Sequence, residues 1–203
     1  MKIILLVVST LILGISNIQE TPSDFDYKLS DIAREFRNKI MNEGECENLK
    51  RDTDDLIDEI EDAIEMEDEY SYDEIIELKK LKKEAEALED FIASVGDCGN
   101  YIPSTNDFYL ANQRINANVS YVIKDKYCVD IIIVQIGDYV AYLAKNSISK
   151  NYIVSYKWKV QNGMSSGNGT MGLTKHSVRH IYNNREEPTR KNIIIYDINC
   201  KEF

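Results

Sequence analysis

Residues 49–92 read LKRDTDDLIDEIEDAIEMEDEYSYDEIIELKKLKKEAEALEDFI. Leu49, Thr53, Leu56, Ile60 and Ala63 follow at steps of four and three, as do Leu78, Leu81, Ala85, Leu88 and Ile92. That is heptad spacing, which keeps one narrow apolar seam of a helix facing a partner. Between the two runs, Ser71-Tyr72-Asp73-Glu74 has the form of a capping box, so a new helix starts there. Gly96 follows the second run, where a left-handed residue would end the helix. The stretch therefore predicts an antiparallel helical hairpin.

Working outward, Leu29, Ile32, Ala33, Phe36 and Ile40 make an earlier stripe that stops near Gly44. Helices are expected near 29–42, 46–66 and 72–95, within an acidic helical region spanning 17–99. The hairpin brings Cys46 and Cys98 together at its open end. Their bond would close a loop of 52 residues, worth ~4 kcal/mol of loop-closure entropy. The hairpin's acidic run, from Asp52 to Glu69, lacks the glycine and the alternate ligand spacing of a calcium loop. It reads as a solvated helix face.

Residues 1–16, MKIILLVVSTLILGIS, have one lysine, an apolar stretch and small residues at 14 and 16. This is the form of a secretory signal peptide, too short to span a bilayer. No other apolar run approaches the length of a transmembrane helix. A secreted, extracellular protein with Cys46, Cys98, Cys128 and Cys200 is expected to hold two disulfides, Cys46–Cys98 and Cys128–Cys200. Asn118-Val119-Ser120 and Asn168-Gly169-Thr170 are glycosylation sequons, which require both asparagines at the surface.

After Gly99 the period changes to two, and residues 100–203 read as a β-rich domain. Tyr152, Val154, Tyr156, Trp158 and Val160 alternate with Ile153, Ser155, Lys157 and Lys159, a strand with one wet face. Val119, Tyr121 and Ile123 alternate similarly. Residues 128–136, 139–144 and 192–198 are the other strands, with turns at 124–126 and 137–138 making a meander of the first three. Residues 161–172 read as a Gly/Ser/Asn loop, followed by a short helix carrying Val178, Ile181 and Tyr182. The fold class is α+β, helices first and a small antiparallel sheet with one short helix after. The pattern fits no familiar secreted β family. Ile198 stands two before Cys200 where an immunoglobulin-type corner has Tyr, and the strands are too few for a lipocalin.

Several constellations invite chemistry. Gly167 to Gly172 match GxGxxG, but six residues separate them from the preceding strand and no crossover helix follows. His176 and His180 would share a helix face, yet Ser177 stands where a zinc protease has its Glu, and Lys175 and Arg179 repel a cation. No serine sits in a nucleophile elbow, and the cysteines are paired. No catalytic residue, cofactor or metal site is assigned. Tyr152, Tyr156 and Trp158 are the candidate binding surface, since tyrosine and tryptophan favour both half-buried sheets and interfaces.

The formal charge of −11 argues against a binder of nucleic acid driven by net charge. It is unevenly spread. Residues 21–100 hold 26 acids and 10 bases, while residues 101–203 hold 8 acids and 13 bases. The basic half is expected to dock on the acidic one. The function expected is a secreted, disulfide-stabilised, non-enzymatic binding protein for an extracellular protein or surface partner. A carrier of a small apolar ligand between sheet and helices is the alternative, and a hydrolase using His176 or His180 the third reading. Heptad seams leave the oligomeric state open.

Overall fold

A computed structural model describes residues 19–38, 43–96, 98, 104–123, 128–136, 139–161, 163–183 and 193–203. The expected signal peptide and the expected turns at 124–126 and 137–138 lie outside the described residues. The helices come first: α1 (Pro22–Asn38), α2 (Glu43–Glu65), a 3-10 turn at Glu67–Glu69, α3 (Tyr72–Gly96) and α4 (Thr105–Ile115). Seven strands follow: β1 (Asn118–Ile123), β2 (Asp130–Ile136), β3 (Tyr139–Lys145), β4 (Tyr152–Val160), β5 (Ser166–Leu173), β6 (Val178–Asn183) and β7 (Ile193–Glu202). The fold is α+β, with helices N-terminal and antiparallel strands C-terminal.

The hairpin forms as its sequence dictates. Ser71 N–H donates to Glu74 at 2.8 Å and Glu74 N–H donates back to the Ser71 hydroxyl, closing the capping box of α3. The Ser71 contacts hold the Glu74 carboxyl below its ordinary value. Cys46 is bonded to Cys98 with Cα atoms 5.9 Å apart, and Cys128 to Cys200 at 6.1 Å. Gly96 plays a different part from the one expected. It is the last residue of α3, and a Cβ there would overlap the Cys46 sulfur, so glycine admits the disulfide. Gly44, expected to end the first helix, lies in the first turn of α2.

The strands form two stacked sheets. β1, β2, β3 and β6 make one, in that order, and β5, β4 and β7 the other. The first three strands pair as the expected meander. Two segments differ from the sequence reading. Residues 166–173 are strand β5, not loop, because the glycines lie opposite large rings of β4. Tyr156 pairs with Gly169 and Trp158 with Gly167, and a Cβ at Gly167 would come within 2.9 Å of the indole. Residues 178–183 are strand β6, not helix, and pair with β3. The helix of this half is α4. Its Ser104 hydroxyl accepts from Asp107 N–H at 3.1 Å, and Phe108, Ala111 and Ile115 are buried.

The buried core does not divide at residue 99. Ile132, Val134, Ile136, Tyr139, Ala141 and Leu143 join one cluster with Phe36, Leu88, Phe91, Ile92 and Phe108 of the helices. The Tyr139 hydroxyl donates to the Val95 carbonyl of α3. The opposite faces of β2 and β3, with Ile131, Tyr142 and Ala144, pack against Val154, Tyr156, Leu173, Ile193 and Ile195 of the second sheet. The layers are thus helices, first sheet, second sheet. The basic half docks on the acidic one mainly through apolar contact, and the charge complementarity expected is met at Arg114 of α4, which pairs with Asp26 of α1 and Glu84 of α3.

Candidate functional site

The C-terminal half of α3 is buried all round, so the exposed helix faces belong mainly to α1, α2 and the start of α3. α1 begins at Pro22, seven residues before the start expected. Thr21 N–H and hydroxyl both donate to Asp24 at 2.8 Å, and proline at the first helical position needs no amide partner. The backbone and hydroxyl bonds from Thr21 hold the Asp24 carboxyl below its ordinary value. This extra turn carries Phe25, Tyr27 and Lys28.

α1 runs antiparallel to α2. Its entry is tied to the far end of the hairpin, where Gln19 donates to the Glu69 carbonyl and Tyr70 to the Glu20 carbonyl, each at 2.8 Å. Between the helices lie two depressions that share Glu59. One, of about 380 Å³, has Phe25, Ala63, Met66 and Tyr70 among its apolar lining and Glu20, Asp62 and Glu69 among its acids. The other, of about 340 Å³, is lined by Tyr27, Ile32 and Leu56 with Asp31, Glu35, Asp52 and Asp55. Together they form an acid-walled furrow with an apolar floor.

Lys28 stands where the depressions meet. Its ammonium donates to Glu20 at 2.8 Å and to Glu59 at 2.6 Å, and lies 5.4 Å from the centre of the Phe25 ring. Desolvation opposes its charge, but the bonds to both carboxylates outweigh it and raise its pKa above that of an ordinary lysine. The furrow can therefore hold an ammonium group against carboxylates from both walls and an aromatic floor.

The residues singled out from sequence are placed differently. Tyr156 is buried between the sheets, and its pKa is pushed up by that burial. Tyr152 and Trp158 are half-buried against the same inter-sheet core. The wet face of β4 carries Lys157, which pairs with Asp197 at 2.6 Å, and Lys159, whose ammonium lies 5.6 Å from the centre of the Tyr196 ring. His176 is exposed in a turn with left-handed backbone, while His180 is half-buried in β6. The helix that would have put both on one face is absent there. Among the described residues, no group of three or more His, Cys, Asp or Glu is arranged to hold a metal. The GxGxxG run lies inside β5, not at a strand-to-helix turn. Asn118 and Asn168 are exposed, as glycosylation requires.

Sequence reasoning registered the acids of the furrow only as a solvated face. Phe25 and Lys28 fall outside the helix expected from Leu29 onward. The signal was present: Thr21-Pro22-Ser23-Asp24 has a cap, a proline at the first position and an acid three residues after the cap. No described helix is long and apolar enough to cross a membrane. The chain matches no protein-family model, no curated protein and no solved structure.

Proposed function

We propose that the protein is a secreted, disulfide-stabilised, non-enzymatic binding protein that engages an extracellular partner through the furrow between α1 and α2. The furrow carries this reading. It keeps apolar side chains at the foot of two acidic walls, a combination that gives charge steering and desolvated contact at one place. The two disulfides support an oxidising compartment. The space where an apolar cargo would lie, between helices and first sheet, is filled by Phe91, Ile92, Ile132 and Leu143.

Capture of the partner from extracellular medium on immobilised protein tests the reading. Retention is expected to fall by tenfold or more between about 0.1 M and about 1 M salt, as the screening length shrinks from about 10 Å to about 3 Å. Retention indifferent to salt would sink it.

A further inference from the structure

We infer that the furrow is a groove for a basic amphipathic helix of a partner protein, and that Lys28 fills the seat a partner lysine or arginine would take. This rests on the binding role proposed above and names the chemistry of its partner. Length, backbone chemistry and charge all point this way. α2 and the residue just after it line the furrow from Asp52 to Met66, about 21 Å at the rise of a helix, so a helix of about 14 residues would fill it. Both walls are helices, and a groove between two helices accepts the ridge of a third. The walls offer no strand edge. A helix satisfies its own backbone hydrogen bonds and leaves the wall carboxylates to its basic side chains.

The charge pattern selects a cationic occupant with an apolar face. Tyr27 and Met66 are 69 % and 52 % exposed, one at each depression, and would meet apolar side chains of the incoming helix. The acids of the walls would meet its lysines. Lys28 already shows the arrangement within this chain: one ammonium, two carboxylates on opposite walls and the face of Phe25. A second copy of the chain is a poor occupant, because its helical region 21–100 holds 26 acids against 10 bases and repels the furrow, while its basic residues 101–203 are mostly strand.

The test uses the secreted chain and two labelled 14-residue Leu/Lys peptides of one composition. One has its leucines at helical spacing and the other has them scrambled, and binding is read by fluorescence anisotropy. The helical peptide is expected to bind at least tenfold more tightly. Lys28→Ala should strengthen its binding three- to tenfold by vacating the seat. Lys83→Ala, which removes the same charge from an exposed position on α3, should leave it within twofold. Glu59→Gln should weaken it, with circular dichroism confirming that each variant is folded. Equal binding of the two peptides, or equal effects of Lys28→Ala and Lys83→Ala, would overturn the inference by showing that acidity alone attracts cations. So would self-association of the chain that Glu59→Gln relieves. None of these three results touches the wider binding role, which stands or falls on the salt dependence of partner capture.

Discussion

On one face of β2 and β3, Ile132, Val134, Tyr139 and Leu143 meet the helices; on the other, Ile131, Tyr142 and Ala144 meet three strands. The helix side is built on rings in contact. Phe91 stacks on Phe108 at 4.9 Å and meets Phe36 edge-on at 6.0 Å. The strand side holds no phenylalanine in its cluster. It seats Tyr156 and Trp158 of β4 against glycines of β5 and ties β7 back through Cys128–Cys200. The difference shows two ways to hold a layer. Each side carries one disulfide; the first buries large surfaces from several elements at once, and the second relies on cross-strand fit, so its tie carries more of the layer.

The strongest way to break this contrast is Phe91→Ala. Removing a fully buried ring at the meeting point of three helices should cost about 3–5 kcal/mol in urea unfolding. Because helices and first sheet share this core, amides of α3 and of β2 and β3 should lose hydrogen-exchange protection together. Retained protection in β2 and β3 would show that the cores are separate. The double variant Cys128→Ser/Cys200→Ser comes next. The tie spans 72 residues, so its loss should cost up to about 4 kcal/mol by loop-closure entropy. Exchange should rise in β4, β5 and β7 while the helices stay protected. Equal loss in the helices would erase the distinction between the two sides.

The smallest expected effect sharpens the helix side alone. Asp90 of α3 has its pKa raised to about 7, first by desolvation and then by Glu89, Asp107 and Glu86, with Lys50 opposing. A carboxyl whose folded pKa exceeds its ordinary 3.8 favours the folded state most at low pH. That contribution fades as pH rises from about 4 and is gone above about 7. Asp90→Asn should therefore flatten the fall in stability between pH 5 and pH 8 and leave the variant roughly 1 kcal/mol more stable at pH 8, the partial exposure of the site being allowed for. An unchanged slope in urea titrations across that range would remove Asp90 as its source.

Legibility followed the same divide. α2 and α3 were readable because one face of each, from Leu49 to Ala63 and from Leu78 to Ile92, carries the period of a helix. The end of α3 was readable too, within one residue of Gly96, but the burial of Ala87 to Gly96 beyond the Leu88 and Ile92 seam was not, because it is imposed by the sheet and α4. α4 was within reach: Ser104 and Asp107 cap it, and Phe108, Ala111 and Ile115 recur at three and four. β5 was out of reach, since Ser166 to Gly172 resembles a loop until the rings of Tyr156 and Trp158 are placed beside its glycines. β6 misled for a related reason. Packed at the edge of a layered sheet, it alternates polarity too weakly to announce a strand. The furrow was half legible: its acids are conspicuous in the sequence, but its floor depends on the Thr21 cap that starts α1 at Pro22.

The two-sided burial of β2 has a consequence for how the chain finds its register. A strand with one wet face is corrected by water, because a slip of one residue would expose its apolar set. In the run Ile131-Ile132-Ile133-Val134, a slip exchanges one greasy face for another. Size takes over the role of polarity: Ile131 opposite Ala144 and Val134 opposite Ala141 match bulk to space in one alignment. Along β3, these alanines thus act as a ruler, and misalignment of this sheet is resisted by steric misfit, not by solvent.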